Sequence, residues 1–392
     1  MNKSLWFFML LWPIVLLPKS LQLVLILALG IMLSVFKMKS TNKIFILTCM
    51  YSVVHIFSII INALIGDYEL SRVAAAINTA IIWIGAAFLY EYYRTSKVDM
   101  KAFLRVCFWN ENVMLLLLLL YLFLAYVKKI ESFTMPVINT IFYGYDWPLY
   151  RFWGLLEYPT LVGGFSLLTA PFACLYLWTR KRNFLGVILY YVFSFLPVYF
   201  AFSRNGYVLY FAILCLCLLV VFIYTFKKQE AYTLCVMGAG VVVGCIPVLY
   251  KIVTEILDML LSMRGGSSAS RGAIYTASVQ AFCESPLLGR GIKELNESAL
   301  PLGSHCSYIG YLYKTGILGT VCIMIVFVCI AMSVWKNKKG IYHKLMCIFL
   351  YGMLAYCIFE DLDGANWQVC LFFAVAGILE NKQNNWKRSD LK

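Results

Sequence analysis

Long apolar stretches separated by short polar connections recur through almost the whole chain, and this feature decides what it can fold into. A helix needs roughly 20 apolar residues to cross the hydrocarbon of a bilayer. In that medium only helices and closed barrels satisfy their own backbone polar groups. The stretches are continuous rather than alternating, so they read as helices. They fall at residues 5–17, 21–36, 44–65, 73–90, 113–127, 161–178, 184–202, 207–226, 232–250, 308–335, 345–359 and 367–379. The shorter ones would span with snorkelling ends or local thinning of the bilayer. With 62% hydrophobic and 13% charged residues in a chain of 392, a water-soluble core is excluded.

The expected fold is an all-α integral membrane protein of about 12 transmembrane helices, with a long extracytoplasmic loop that contains a surface helix. Residues 1–127 form the N-terminal helices, 128–159 a first long outer loop and 160–250 the central helices. Residues 251–305 form a second outer loop, the candidate catalytic one, followed by C-terminal helices at 306–380 and a cytoplasmic tail at 381–392.

The net charge of +14 reads as topological rather than as a nucleic-acid surface. Alternate connections carry Lys37, Lys39 and Lys43, then Arg94, Lys97, Lys101 and Arg105, then Arg180, Lys181 and Arg182. The series continues with Lys227 and Lys228, with Lys336, Lys338, Lys339 and Lys344, and with Lys382, Lys387, Arg388 and Lys392 in the tail. Basic connections stay in the cytoplasm, so the expectation is a multi-pass protein of the plasma (inner) membrane with both termini cytoplasmic. Lys3 and the run at 5–17 resemble a secretory signal, but no small-residue cleavage site follows, so the run reads as a retained first helix. Most of the fourteen cysteines fall inside apolar runs without metal-binding spacing. Cys283 and Cys306 alone map outside, where a disulfide between them is open.

The two long connections both fall on the outer side. The first carries Phe142, Tyr143, Tyr145, Trp147, Trp153 and Tyr158, an aromatic density suited to headgroups or sugars. The second contains a helix pattern at 270–284, capped by Ser270, with Ile274, Val279 and Phe282 on an apolar side and Pro286, Gly289 and Gly291 marking its end. Such a helix would lie on the membrane surface.

Arginine is the informative residue type, because lysine dominates the inner connections while Arg72, Arg151, Arg204, Arg264, Arg271 and Arg290 map outside. A guanidinium binds phosphate oxygens in pairs and stays charged, so these side chains suit a lipid-linked phosphate or diphosphate. For any one of them, pairing with Glu157, Glu255, Asp258, Glu284 or lipid headgroups is an equal reading. Arg204 stands in Ser203-Arg204-Asn205-Gly206, nearly the whole connection between two apolar spans, and a charge there is costly enough to be functional. Arg271 heads the expected surface helix, with Tyr275 and Ser278 on its face, where an anion would also meet the helix N-terminus. Arg290 sits between Gly289 and Gly291, which let the backbone approach a ligand closely or simply form a turn.

His305 is the one histidine placed outside, and its imidazole reads equally as a general base or as a cap of the next helix. His55 reads as a packing or hydrogen-bonding residue within a span, and His343 as solvated in a basic loop. Glu360, Asp361 and Asp363 would orient an acceptor, bind a cation or solvate a turn. No HExxH, P-loop or GxSxG is present, so no metal or cofactor is expected.

These residues together resemble the O-antigen ligase and O-antigen polymerase superfamily of bacterial envelope glycan enzymes. Arg151-Phe-Trp-Gly154 with Pro159 is similar to the family's R-x-x-G…P entry to a span, and Ser203-Arg204-Asn205-Gly206 to its S-R-x-x segment. Ser270-Arg271-Gly272 and Pro286-Leu-Leu-Gly289-Arg-Gly291 resemble the two ends of its loop helix. His305 with Gly316 and Gly319 resembles the closing H-x(n)-G-x-x-G, although Cys306-Ser307 stands where an asparagine is common. The resemblance covers roughly 151–335. It implies Arg204 and Arg271 as diphosphate binders, Arg151 as a secondary one and His305 as the base, and Arg290 is a further diphosphate-binding candidate on its own position.

What it further implies is a metal-independent glycosyltransferase that moves a glycan from an undecaprenyl-diphosphate carrier to an acceptor glycan. Repeat-unit polymerisation of a surface polysaccharide comes first and ligation second. Membrane lipids are expected partners, a chain-length regulator is an additional one, and nucleic acid is not expected. A lipid-linked glycan flippase remains an alternative of another class, and a non-catalytic assembly partner a third.

Overall fold

The structure is a computed structural model and describes residues 5–34, 42–123, 151–181, 183–225, 265–296, 300–336 and 340–384. The aromatic-rich part of the first long loop, the span expected at 232–250, Arg264, Glu255, Asp258 and the end of the tail lie outside the described residues. So do Lys3, Lys37, Lys39, Arg182, Lys227, Lys228, Lys338 and Lys339.

The described chain is all-helical. In order it forms α1 (Trp6–Met9), α2 (Leu11–Val15), α3 (Lys19–Ser34), α4 (Lys43–Ile65), α5 (Leu70–Thr95), α6 (Met100–Leu122) and α7 (Leu161–Lys181). There follow α8 (Phe184–Phe200), α9 (Arg204–Thr225), α10 (Gly265–Glu284), α11 (Ser307–Lys336), α12 (Ile341–Tyr356), a 3-10 turn (Leu362–Gly364) and α13 (Asn366–Glu380). Five of these, α4, α5, α6, α7 and α11, are long and apolar enough to cross a membrane by length and composition; α3, α8, α9, α12 and α13 are shorter apolar helices.

Local chemistry accounts for several boundaries. Asn42 caps α4 through the amide of Ile44, Asp99 caps α6 through Ala102 at 3.1 Å, and Asn183 caps α8 through Gly186 at 3.1 Å. The run at 5–17 is not one helix as expected: it breaks at Leu10 into two helices of four and five residues. Pro13 explains the break, since its ring and missing N–H oppose the helical turn over Met9. The pair still packs into the bundle, with Phe8 against Tyr93 and Phe103.

At the centre is α13, whose residues from Asn366 to Leu379 are all buried by protein. Gly377 lets it press on α5, where an added Cβ would meet the Tyr90 carbonyl oxygen at 2.5 Å. Edge-to-face rings of Tyr51, Trp83, Tyr311 and Phe373, with centroids 4.9 to 5.8 Å apart, tie α4, α5, α11 and α13 together. Each such pair adds about 0.5–1.5 kcal/mol beyond area burial.

Two features differ from expectation in ways that place the site. The helix expected at 270–284 begins at Gly265, so Ser270 is not its cap and Arg271 lies in its interior, away from the N-terminus. No proline interrupts the stretch, and packing against α11 outweighs the weak propensity of its glycines and serines. Val279, expected on the apolar face, is exposed, while Ile274 is buried beside the polar stripe.

The second feature is a break in α11 at Gly316, which has φ 58 and ψ −159. The backbone of 286–291 fills that break. Ile317 and Leu318 donate to the carbonyls of Pro286 and Leu287 at 2.8 and 3.3 Å, while Arg290 and Gly291 donate to those of Tyr313 and Lys314 at 2.7 and 3.0 Å. The freed groups are thereby satisfied inside the protein, the condition for non-helical backbone in such a setting. Gly289 and Gly291, both at positive φ, therefore approach the backbones of α11 and α4 rather than a ligand.

Candidate functional site

The site is assembled by the segment between α12 and α13. Its backbone is held by Ser307, whose hydroxyl donates to the Glu360 carbonyl at 2.8 Å and accepts from the Leu362 amide at 2.8 Å. Ser307 occupies the place where the family pattern departs, and here it fixes the position of Glu360. The Glu360 side chain is buried, 4% exposed, at one end of the bundle. Its Oε1 accepts from Nη2 of Arg271 at 2.8 Å and from Nδ2 of Asn205 at 3.2 Å. Its Oε2 lies 3.9 Å from Nδ1 of His305, an ion-pair distance longer than a hydrogen bond. Burial alone would raise the Glu360 carboxyl, but the Arg271 charge and the His305 imidazole outweigh it and lower it from 4.5 to about 2. Glu360 is therefore anionic throughout the physiological range.

His305 has φ 62, a left-handed conformation that is uncommon outside glycine. The Tyr275 hydroxyl holds it there, donating to the His305 carbonyl at 2.7 Å. Ser278 extends the support by accepting from the Gly303 amide at 2.7 Å. The expected polar stripe of Arg271, Tyr275 and Ser278 thus exists, and it faces the loop that carries His305. The imidazole is 29% exposed, with Nδ1 on the Glu360 side.

Arg204 opens α9, with the Ser203 carbonyl accepting from the Tyr207 amide at 3.0 Å. Phe202, just before, is also left-handed at φ 49, so two strained residues flank the cluster, as they often do at functional sites. Arg151 is fully buried and donates through Nε to the Ala201 carbonyl at 2.9 Å, bracing the turn that presents Arg204. Arg290 is placed differently: its guanidinium pairs with Glu284, the partner named by the alternative reading. Arg72 reaches the Lys293 carbonyl at 3.5 Å.

Several expectations are corrected. Glu360, Asp361 and Asp363 do not merely solvate a turn: Asp361 pairs with Lys293 at 3.0 Å and Asp363 with Lys314. His343 is not solvated but buried, with Nε2 at 2.9 Å from the Leu379 carbonyl. Cys283 and Cys306 are both free thiols. His55 makes the hydrogen bond expected of it, to the Gly291 carbonyl at 3.1 Å. Sequence reasoning missed Glu360 as the hub and Glu111 as a buried carboxylate held by Ser166 and Thr169. A signal existed for the loop as a whole: Lys314 lies inside an apolar run and required a counter-charge.

Fold and site together define a class: an all-helical, multi-pass membrane protein with an arginine–histidine–glutamate cluster at one end of its bundle. Residues 189–324 match the family model described as O-Antigen ligase, and over that segment the likeness to the O-antigen ligase and polymerase superfamily is shown. Arg204, Arg271, Arg290 and His305 fall inside it, and Arg151 and Glu360 fall outside. The match supports glycosyl transfer of the O-antigen ligase or polymerase type at the level of the family. No curated protein matches the chain.

Proposed function

We propose that the protein transfers a glycan from a polyprenyl diphosphate, in bacteria undecaprenyl diphosphate, to a sugar hydroxyl of an acceptor glycan at the outer face of the plasma membrane. Repeat-unit polymerisation of a surface polysaccharide is the first reading and ligation to a different acceptor the second. The observation that carries it is the meeting of Arg271, His305 and the Arg204–Asn205 helix start around one buried carboxylate, within or beside the segment that matches the family.

In this reading Nε2 of His305 takes the proton of the acceptor hydroxyl as its oxygen attacks the anomeric carbon. The bond from that carbon to the diphosphate breaks, and the electron pair leaves on the diphosphate. Arg271 and Arg204 stabilise the departing charge, Arg151 supports them from the adjoining turn, and Arg290, paired with Glu284, has the smallest share. A positioned base contributes about 10²–10⁴ in rate, and charge stabilisation at a leaving group is commonly the largest single effect.

The test is chain elongation from lipid-linked repeat units in membranes carrying His305→Ala or Arg204→Ala. Loss of elongation in both, with single units reaching the outer leaflet, is the expected result. Normal elongation in both defeats the reading, and single units stranded on the inner leaflet would favour the flippase.

A further inference from the structure

Glu360 faces a guanidinium and an imidazole with one carboxylate, and they are not held alike. Arg271 is at 2.8 Å and His305 at 3.9 Å, so Arg271 takes up most of the charge. Asn205 binds the same oxygen as Arg271, which leaves Oε2 turned to the imidazole. The carboxylate is fixed in place: Ser307 donates to the Glu360 carbonyl and accepts from the Leu362 amide, and Asp361 and Asp363 anchor the following residues to Lys293 and Lys314. Arg271 is on a long side chain, 15% exposed, and can turn towards an incoming anion. A diphosphate offers guanidinium more charge and paired oxygens than a single carboxylate oxygen does.

We propose that Glu360 is a positioning residue that couples donor binding to the base: the lipid diphosphate draws Arg271 away, and Glu360 then serves His305 alone. The inference rests on the transferase reading above. A carboxylate on Nδ1 orients the imidazole and stabilises its protonated form, which makes Nε2 a stronger base. Without a donor the charge of Glu360 stays with Arg271 and the imidazole is weak, so acceptor is not deprotonated when there is no leaving group to displace. Glu360 itself neither gives nor takes a proton. The other charged or titratable groups at the cluster are Arg271, which shares Glu360 with the imidazole, Tyr275, whose hydroxyl binds the His305 carbonyl, Cys306, next in the chain, and Asp361, which follows Glu360 and pairs with Lys293.

The test compares the full-length protein with Glu360→Gln, Glu360→Asp and His305→Ala. Affinity is read with undecaprenyl diphosphate in nanodiscs, and rate with native membranes elongating their own lipid-linked units across pH. For Glu360→Gln the coupling requires a split: tighter binding of the lipid diphosphate, because the competitor for Arg271 is gone, with kcat lower by about 10–100-fold. The acid limb of the rate profile moves to lower pH, because the imidazole has lost its anion. Glu360→Asp restores part of kcat, and its acid limb supplies the reading where the Gln variant does not reach the membrane. Weaker lipid diphosphate binding with an unmoved acid limb is what a purely structural role gives, and it overturns the proposal. His305→Ala separates the two levels: if it elongates normally the transferase reading fails. If it is inactive while Glu360→Gln keeps wild-type binding, kcat and acid limb, only the coupling fails.

Discussion

Glu360 and Asp363 are carboxylates of one short loop, yet their surroundings are opposite. Asp363 meets Lys314 with side chains 1% and 2% exposed, closed off from water on every side. Glu360 shares its charge between Arg271 and His305, which are 15% and 29% exposed. The first arrangement can only hold, because separating two charges in a dry interior is costly. The second can be rearranged, because the Arg271 and His305 side chains are open enough for an anion to reach. One loop thus carries an anchor and an exchangeable contact side by side, and the anchor keeps the exchangeable carboxylate in place.

The largest expected effect comes from breaking the anchor. Lys314→Ala leaves Asp363 as an uncompensated buried charge and destabilises the protein by about 3–5 kcal/mol. Lys314→Met with Asp363→Leu recovers most of that loss, because a buried pair is often replaced by apolar groups at little cost. Thermal unfolding in nanodiscs measures both, and a double variant as unstable as the single one contradicts the anchor.

Next comes the exchangeable side. Arg271→Ala lowers the transfer rate by about 10²–10³, the scale of a lost charge-stabilising donor. Arg290→Ala, whose partner is Glu284, lowers it by less than about tenfold. Equal losses would erase the distinction between a guanidinium at the cluster and one paired elsewhere. Gly316→Ala tests the support: an added Cβ would strike the Leu287 backbone at a positive φ, and the strain is worth about 1–3 kcal/mol. Unfolding in nanodiscs reads this one too.

The smallest effect is a pH dependence. The Glu360 carboxyl is lowered from 4.5 to about 2, so its contribution to stability is complete above 4.5 and is lost as pH falls through about 2. Glu360→Gln should flatten the stability profile over that window, and an unchanged slope would show that the carboxylate is not held as described.

The helical bundle was largely legible in the sequence because the bilayer constrains each stretch locally, wherever its neighbours are. Where a run failed, at 5–17, the cause was also local, in Pro13. Arg271 and His305 stood out in the sequence because they fall in a connection expected on the lysine-poor side. What could not be read was their meeting at Glu360, or the pairing of Lys314 with Asp363, since these depend on how distant helices pack. The glycines at 289, 291 and 316 were noticed as a pattern, but their role in filling a helix break appears only when both segments are seen together.

The account stands most directly on one measurement: transfer by the purified full-length protein in nanodiscs, with EDTA present, from a labelled lipid-diphosphate-linked glycan to an acceptor glycan. The expected result is one polyprenyl diphosphate released per glycosidic bond formed, with His305→Ala protein folded and unable to form the bond. Equal transfer by the variant, or none by the native chain with donor and acceptor both present, would contradict it.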